Sequence, residues 1–281
     1  MDATVRTTPL PGGETVPVLG QGTWYMGDRP ERRREEIAAL RLGVELGLAL
    51  IDTAEMYGSG RCESLVGEAL AGIRGQVFLV SKVLPSNASR RGVGRACEAS
   101  LKRLGTDRID LYLLHWPSGQ PLEETVAGFE DLRAAGKIRH WGVSNFDVDD
   151  MDQLLATPGG TPCAANQVLY NLSRRGIEHD LLPWCRGRAV PVMAYSPIEQ
   201  GRILRHPGLK AVAARHGATP AQVALAWLLR QDNLIAIPKA GTLEHVRENR
   251  AALDLRLTDD DNAALDRAFP PPAGPQPLAM L

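Results

Sequence analysis

Three short hydrophobic runs in the first half of the chain each end in a polar residue, at nearly equal intervals. Asp52 closes LALID, Lys82 closes VFLVSK and His115 closes LYLLH. The intervals of 30 and 33 residues match one strand, one crossover helix and a turn. An ionisable side chain is costly inside a buried strand, so it is expected where a strand emerges from the core. The common register therefore predicts one shared polar site at the strand ends.

Short apolar runs alternate with amphipathic stretches along the whole chain and predict an α/β fold, a (β/α)8 TIM barrel. Eight strands alternating with helices over roughly 250 residues is the pattern of that barrel. Before the first strand, Pro11-Gly12-Gly13 lies between two short extended stretches and predicts an N-terminal β-hairpin. We expect residues 1–281 to form a single barrel domain. The predicted strands are Val18–Trp24, Leu48–Ala54, Val77–Val83, Asp110–Trp116, His140–Asn145, Ala164–Tyr170, Pro191–Pro197 and Leu234–Lys239.

The predicted helices carry ordinary start and stop signals. Thr219-Pro220 supplies an N-cap and a first-turn proline, and Gly136 follows another helix as a stop. An open doubly wound sheet is the rival fold, but it usually carries a phosphate-binding fingerprint, and this sequence contains neither GxGxxG nor GxxxxGK followed by Ser or Thr. The clearest predicted helices are Glu31–Leu46, Arg91–Leu104, Leu122–Ala135, Ile177–Arg188 and Pro220–Arg230.

Composition narrows the classes of protein to which this chain can belong. A formal net charge of -1 gives no reason to expect nucleic acid as a partner. No segment approaches the ~18 uninterrupted apolar residues of a membrane span, and no signal peptide is evident, so we expect a cytoplasmic protein. The four cysteines include no CxxC pair and no zinc-ligand spacing, which favours reduced, structural thiols.

A fourth ionisable residue, Tyr57, follows Asp52 in the glycine-containing loop DTAEMYGSG. A phenol with a pKa of about 10 is a poor acid at neutral pH, but a neighbouring ammonium such as Lys82 stabilises the phenolate and lowers that pKa. Asp52 would hold the ammonium in place, and His115 would point at the oxygen that accepts the proton. The four residues together are suited to protonating an oxygen that gains negative charge, as a carbonyl does during hydride attack.

Each of these residues also has an ordinary structural interpretation. Asp52 alone is more often a turn or helix cap, and Lys82 alone is usually solvated. His115 alone is more often a hydrogen-bonded polar residue than a catalyst, and Tyr57 alone suits packing or a lid. The common interval of the three strand ends makes coincidence much less probable for the set than for any member.

Eight stretches of the chain resemble the aldo-keto reductase superfamily. They span nearly the whole sequence in the order expected of that family, and the chain is most similar to the bacterial branch described as methylglyoxal reductases. The resemblance implies NADPH-dependent reduction of aldehydes and ketones in a TIM barrel, without metal, by a monomer. The stretches are GQGTWYMG, LIDTAEMYGSGRCESLVGEAL, VFLVSKV, ASLKRLGTDRIDLYLLHWP, GKIRHWGVSNF, NQVLYN, VMAYSPI and IPKAGTLEHVRENRAAL.

Matched motif by motif, the resemblance assigns a catalytic tetrad of Asp52, Tyr57, Lys82 and His115, with Tyr57 as proton donor. It also implies that Tyr195 stacks on the nicotinamide ring. An aromatic face under the ring would fix the side from which hydride leaves. The implied cofactor-binding residues are Gly22, Thr23, Trp24, Asp52, Ser144, Asn145, Gln167, Tyr195, Ser196, Pro197, Ile198, Lys239, Ala240, His245, Glu248 and Asn249.

Within that set, the resemblance gives two groups distinct tasks. Ser144, Asn145 and Gln167 would hold the nicotinamide carboxamide, which needs both donors and acceptors. At the other end, Lys239 would meet the 2′-phosphate of the adenosine ribose, in a region that this fold often uses for phosphates. Many relatives carry Ser or Thr where this chain has Ala240, and Arg where it has His245. NADPH is favoured over NADH, but strict discrimination is not predicted.

The implied substrate contacts are Trp24, Tyr57, His115 and Trp116. The segments that form pocket walls in the family are short here, which predicts an open and permissive pocket for small carbonyls such as methylglyoxal and for aromatic aldehydes. Trp24 and Trp116, each at a strand end, are the predicted apolar walls.

Two alternative functions, a sensor and a hydrolase, remain compatible with the sequence. The first is a cofactor-binding sensor or accessory subunit that keeps the barrel but turns over little substrate. The second is a metal-dependent barrel hydrolase that uses Asp52, His115 and a lysine. Such a hydrolase would ordinarily offer an HxH pair on an early strand, and the six histidines include none.

Overall fold

The computed structural model describes residues 5–281 of the chain and places a barrel of parallel strands at its centre. Strands that follow one another in the sequence are neighbours in the sheet. The barrel closes where Leu19 pairs with Ala236 and Gly22 pairs with Lys239, so the first strand meets the last. The predicted (β/α)8 fold is confirmed. The eight barrel strands within residues 5–281 are β3 (Gln21–Gly22), β4 (Leu50–Asp52), β5 (Phe78–Val83), β6 (Ile109–Leu114), β7 (Ile138–Ser144), β8 (Asn166–Leu169), β9 (Val192–Tyr195) and β10 (Leu234–Ala236).

Helices follow the strands and pack around the barrel. Four of the five predicted helices are present nearly as predicted, whereas Ile177–Arg188 divides into a 3-10 turn, Gly176–Glu178, and a helix, Leu181–Gly187. The Thr219 side chain accepts a hydrogen bond from the Gln222 amide in a capping box, as the Thr219-Pro220 signal predicts. No helix within residues 5–281 has the length and apolar character needed to cross a bilayer. The α-helices are α1 (Arg33–Glu45), α2 (Arg61–Leu70), α3 (Arg90–Leu104), α4 (Leu122–Ala134), α5 (Val148–Ala156), α6 (Leu181–Gly187), α7 (Pro207–Arg215), α8 (Pro220–Leu229), α9 (Leu243–Ala251) and α10 (Asp259–Ala268).

The predicted N-terminal hairpin is present as strands β1 (Thr7–Pro9) and β2 (Thr15–Pro17), which pair antiparallel. Leu10 and Val16 belong to the same apolar cluster as the side chains inside the barrel. Leu50 and Phe78, which start β4 and β5, are part of that cluster. The hairpin therefore closes the end at which the strands begin, and it leaves the opposite end for the site.

Side-chain alternation along the strands determines which residues reach that open end. Phe78 and Val80 lie in the inner apolar cluster, whereas Leu79 packs outward against the helices. Lys82 continues the inner series and is fully buried. This alternation directs every second side chain into the barrel, as expected for the polar residues at the strand ends.

The four cysteines are all buried, and none of them forms a disulfide in the described structure. Burial raises the pKa of the Cys62 thiol to about 11 and that of Cys163 to about 12. These thiols stay protonated at neutral pH. Their surroundings agree with the structural role predicted from their spacing.

Candidate active site

The predicted tetrad residues meet at the C-terminal ends of three adjacent strands. Asp52 is the last residue of β4, Lys82 lies near the end of β5, and His115 directly follows β6. Tyr57 begins a short 3-10 turn, Tyr57–Gly60, in the loop after β4. Gly58, Ser59 and Gly60 all have positive φ in that turn, so the chain reverses tightly and returns Tyr57 to the barrel mouth.

The Lys82 ammonium is fully buried and uses all three of its hydrogens. Its Nζ donates to Asp52 Oδ2 at 2.7 Å and to the Thr53 carbonyl at 2.9 Å. The third hydrogen bond goes to Tyr57 Oη at 3.1 Å. Because an ammonium only donates, the Tyr57 oxygen is the acceptor in this bond, and the phenolic hydrogen is left to point elsewhere. Within the described residues that hydrogen has no acceptor.

Asp52 is held from two sides at once. While Oδ2 accepts from Lys82, Oδ1 accepts a hydrogen bond of 2.8 Å from Gln167 Nε2. Thr23 Oγ1 also donates to the Asp52 carbonyl at 2.8 Å. The carboxylate is 2 % exposed, and both oxygens are engaged by protein. This double anchoring fixes the position of the carboxylate beside the Lys82 ammonium.

Burial and charge act in opposite directions on the ionisable groups of the tetrad. Burial raises the pKa of Tyr57 above its ordinary value, and the nearby Lys82 ammonium offsets only part of that rise. The lowering by Lys82 that the sequence predicted is present, but burial, which the sequence argument did not weigh, outweighs it and reverses the net direction. Burial acts to lower the pKa of Lys82, but Asp52 and Tyr57 raise it above its ordinary value. Lys82 is therefore charged and Tyr57 protonated at neutral pH.

His115 is a neutral imidazole in this structure. Burial, helped by the Lys82 charge, lowers the pKa of His115 to about 3. Its Nδ1 is buried and has no partner in the described part of the chain. Its ring lies edge-on to the Tyr57 ring at 5.9 Å between centroids, and Asn145 Nδ2 donates to its carbonyl at 3.1 Å. A neutral imidazole can donate one N–H to an oxygen beside Tyr57 without placing a second cation near Lys82.

A small aromatic cavity of about 310 Å³, which we call cavity A, opens above the tetrad. All four predicted substrate contacts line it, so Trp24 and Trp116 do form its walls together with Tyr57 and His115. Met280 and Leu281 also line cavity A. They belong to the tail PPPAGPQPLAML, one of the short segments that form pocket walls in the family. The full lining is Trp24, Met56, Tyr57, His115, Trp116, Ser144, Asn145, Gln167, Tyr195, Met280 and Leu281.

A second and larger cavity of about 520 Å³, cavity B, extends from the tetrad towards the end of β10. Trp24, Tyr57 and Tyr195 line both cavities, so the two meet at Tyr57. Most of the predicted cofactor residues line one cavity or the other. Cavity B is lined by Gly22, Thr23, Trp24, Tyr25, Arg32, Asp52, Tyr57, Tyr195, Ser196, Pro197, Ile198, Gln200, Gly201, Ile237, Lys239, Gly241, Thr242 and His245.

The three predicted carboxamide-binding residues are adjacent at the ends of β7 and β8. Asn145 has a φ of 59°, and its Nδ2 donates to Ser144 Oγ at 3.1 Å. Ser144 Oγ in turn donates to the Gln167 carbonyl at 2.8 Å, while Tyr195 Oη donates to Asn145 Oδ1 at 3.0 Å. This network fixes a set of amide and hydroxyl groups on one wall of cavity A.

Only some of the residues predicted to bind the phosphate and adenine end of the cofactor line cavity B. Lys239 and His245 line it, whereas Ala240, Glu248 and Asn249 line neither cavity. Cavity B also contains residues that the sequence argument missed, among them Arg32 and Gly241, together with Thr242, near which the helix of the predicted phosphate end was expected to begin. Arg32 stands in the charged run DRPERRREE, in which no local signal separates it from its neighbours.

Known proteins resemble this chain in sequence over nearly its whole length. The model of the Aldo/keto reductase family matches residues 18–269. The chain belongs to the aldo/keto reductase family. Methylglyoxal reductase YeaE of Escherichia coli (strain K12) is 54% identical over 275 residues, which cover 96% of this chain and 97% of that protein.

Solved structures support the same assignment to the aldo/keto reductases. A crystal structure of an aldo-keto reductase from Klebsiella pneumoniae in complex with NADPH is 49% identical, with a TM-score of 0.97 and coverage of 99% of this chain and 100% of that chain. A crystal structure of an aldo/keto reductase from the same organism in complex with NADP and acetate has the same identity and coverage and a TM-score of 0.96. The likeness extends over nearly the whole chain.

The metal-dependent hydrolase alternative finds no support in the geometry of Asp52. A metal ligand needs a free oxygen, and both oxygens of Asp52 accept hydrogen bonds, from Lys82 and Gln167. Within residues 5–281, no group of three or more histidine, cysteine or carboxylate side chains is arranged to hold a metal ion.

Proposed function

We propose that this protein is a single-domain, NADPH-dependent reductase of small aldehydes and ketones, in which Tyr57 donates the proton. One observation carries the proposal. Lys82 donates its third hydrogen bond to Tyr57 Oη, which leaves the phenolic hydrogen free at the junction of cavities A and B. An acid at the junction of a small pocket and a long one suits a reaction between a small carbonyl and an extended cofactor.

The residues around cavities A and B together fit a nicotinamide dinucleotide phosphate, with Ser144, Asn145 and Gln167 on the wall of cavity A. Amide and hydroxyl groups of Ser144, Asn145 and Gln167 match the donors and acceptors of a carboxamide. Tyr195 offers an aromatic face where the two cavities meet, and Lys239 offers a cation at the far end. The relatives crystallised with NADP and NADPH support this assignment. When bound, the nicotinamide supplies a hydride to the carbonyl carbon.

Residues of this chain then neutralise the negative charge that develops on the carbonyl oxygen. As this oxygen becomes negative, Tyr57 transfers its phenolic proton to it and completes the alcohol. The phenolate that remains is stabilised by the Lys82 ammonium at 3.1 Å, which Asp52 keeps charged. Neutral His115 donates an N–H that orients the carbonyl oxygen towards Tyr57. Water returns a proton to Tyr57 after the product leaves.

The size and lining of cavity A support small carbonyl substrates. A volume of about 310 Å³ admits methylglyoxal or a single aromatic ring, and the indoles of Trp24 and Trp116 suit a flat apolar group. The similarity to a methylglyoxal reductase of Escherichia coli favours methylglyoxal as the first substrate to test.

The test is a spectrophotometric assay of NADPH oxidation by the purified protein. Methylglyoxal, benzaldehyde and a simple ketone are compared, each with NADPH and with NADH. We expect turnover on the two aldehydes, with higher kcat/KM for NADPH. Tight binding of NADPH without turnover on any carbonyl would contradict the proposal and favour the cofactor-binding sensor.

A further inference from the structure

A second cation, Arg32, lies opposite Lys239 at the far end of cavity B. The two residues approach from different parts of the fold, because Arg32 precedes α1 and Lys239 follows β10. Their convergence is shown by Gly241, which lies between them. A Cβ added to Gly241 would lie 2.9 Å from Lys239 Nζ and 3.6 Å from an Arg32 guanidinium nitrogen. Both positive groups therefore surround one small volume, which the absence of a side chain at Gly241 keeps open.

Protein carboxylates do not neutralise this pair of charges effectively. Arg32 contacts Glu35 at 3.3 Å, in an exposed ion pair of small energetic value. Lys239 makes no ion pair with any carboxylate in residues 5–281. Burial lowers its pKa, and the charges of Arg32 and Arg29 add to that fall, while the more distant carboxylates Glu36 and Glu35 offset only part of it. Two cations held this close repel each other unless an anion lies between them.

We propose that Arg32 and Lys239 together bind the 2′-phosphate of NADPH, and that Arg32 supplies part of the preference for NADPH over NADH. The inference rests on the proposed function and assigns a specificity-determining residue to it. A phosphomonoester suits the place for two reasons. A guanidinium and an ammonium can share its oxygens, and Thr242, the N-cap of α9, lines the same cavity, which places the positive end of the helix dipole nearby.

The local backbone structure holds Arg32 beside cavity B. Pro30 starts a 3-10 turn, Pro30–Arg32, and the Arg32 amide donates to the Arg29 carbonyl at 3.0 Å. Helix α1 follows without a break. Glu36 in that helix accepts a hydrogen bond of 2.9 Å from the Gly27 amide, which ties the loop to the helix. These contacts fix the backbone of Arg32 beside cavity B, which the Arg32 residue lines.

The experiment compares Arg32→Ala, Arg32→Lys and Lys239→Ala with wild type, and with Arg34→Ala as the matched control. Arg34 is an exposed arginine two positions along the chain that does not line cavity B. Dissociation constants for NADPH and NADH are measured by quenching of tryptophan fluorescence. Isothermal titration calorimetry with adenosine 2′-monophosphate and with adenosine 5′-monophosphate measures separately the affinity for a phosphate at each position of the ribose.

We expect Arg32→Ala to weaken NADPH and adenosine 2′-monophosphate roughly tenfold or more, while NADH and adenosine 5′-monophosphate change less than about twofold. Arg32→Lys should retain part of the affinity, and Arg34→Ala should match wild type. In the double variant Arg32→Ala with Lys239→Ala, the fold loss in NADPH affinity should differ from the product of the two single losses, because both residues contact one phosphate.

Two results would overturn the inference while leaving the proposed function intact. In the first, wild type binds NADPH and Arg32→Ala keeps its ratio of NADPH to NADH affinity. In the second, Arg32→Ala weakens both dinucleotides equally, which would place Arg32 at a group that they share. A wild-type protein that bound neither dinucleotide would overturn the proposed function, and the inference with it.

Discussion

Lys82 Nζ, fully buried at the end of β5, donates a 3.1 Å hydrogen bond to Tyr57 Oη in the loop after β4. This contact determines both the direction and the chemistry of the phenolic proton. The oxygen is occupied as an acceptor, so the hydrogen faces the cavities. The same ammonium stabilises the phenolate that forms when the proton leaves. A buried lysine of this kind is costly, and Asp52 at 2.7 Å makes it possible.

The neutral state of His115 predicts a flat pH profile. With a pKa lowered to about 3 by burial, His115 has lost its extra proton well below the physiological range. For an uncharged aldehyde we expect kcat/KM to stay constant between about pH 5 and pH 8. It should fall only under alkaline conditions, as Tyr57 deprotonates. A break near pH 6.5, present in wild type but lost in His115→Gln, would contradict this assignment.

Removing the buried cation should destabilise the fold. Lys82→Met leaves Asp52 as an unpaired buried carboxylate, and we expect a loss of about 3–5 kcal/mol in the free energy of unfolding. The raised pKa of Lys82 means that its contribution is complete below its unfolded pKa of about 10.4 and is lost as pH rises through the higher folded value. Urea denaturation at neutral pH therefore measures the whole effect.

The matched control for that experiment is the double variant Asp52→Asn with Lys82→Met. It removes both charges, so it should recover a substantial part of the stability lost by the single variant. A double variant no more stable than Lys82→Met would show that the loss comes from packing rather than from the unpaired carboxylate.

The ring of Tyr195, rather than its hydroxyl, should matter for cofactor affinity. Tyr195 lines both cavities, and its Oη donates to Asn145 Oδ1 at 3.0 Å. We expect Tyr195→Phe to bind NADPH within about threefold of wild type and Tyr195→Ala to bind about tenfold more weakly, by fluorescence titration. Equal losses in the two variants would assign the effect to the hydrogen bond with Asn145.

Trp24 should select between substrates of different size. Its indole stacks on Tyr25 with ring centroids 4.4 Å apart and forms a wall of cavity A. In Trp24→Ala we expect kcat/KM to fall about tenfold for benzaldehyde and less than threefold for methylglyoxal, which has no ring to contact. Trp184→Ala removes a tryptophan that lines neither cavity and should leave both values unchanged. Equal losses for both substrates would argue against a selective wall.

Local patterns in the sequence were sufficient to predict the barrel and the strand-end residues. Asp52, Lys82 and His115 each close an apolar run, and a period of two along the strand places them on the inner face. Strand bounds were less predictable near the closure of the barrel. The predicted strand Val18–Trp24 contains only Gln21–Gly22 as a regular strand, because pairing to the last strand there reduces to single bridges.

Other features depend on distant parts of the chain and left no local signal. Arg32 reaches cavity B because α1 docks beside α9, and no periodicity in its own segment indicates that. The sign of the Tyr57 pKa shift needed a measure of burial, since desolvation outweighs the ammonium that the sequence did reveal.

The most direct test of the account is the kcat of Tyr57→Phe on methylglyoxal, measured together with its dissociation constant for NADPH. Phenylalanine keeps the ring that lines both cavities and removes only the oxygen that Lys82 contacts. We predict a loss of roughly 10²–10⁴ in kcat, with NADPH bound about as tightly as by wild type. A Tyr57→Phe variant that kept wild-type turnover would show that another group donates the proton and would contradict the central claim.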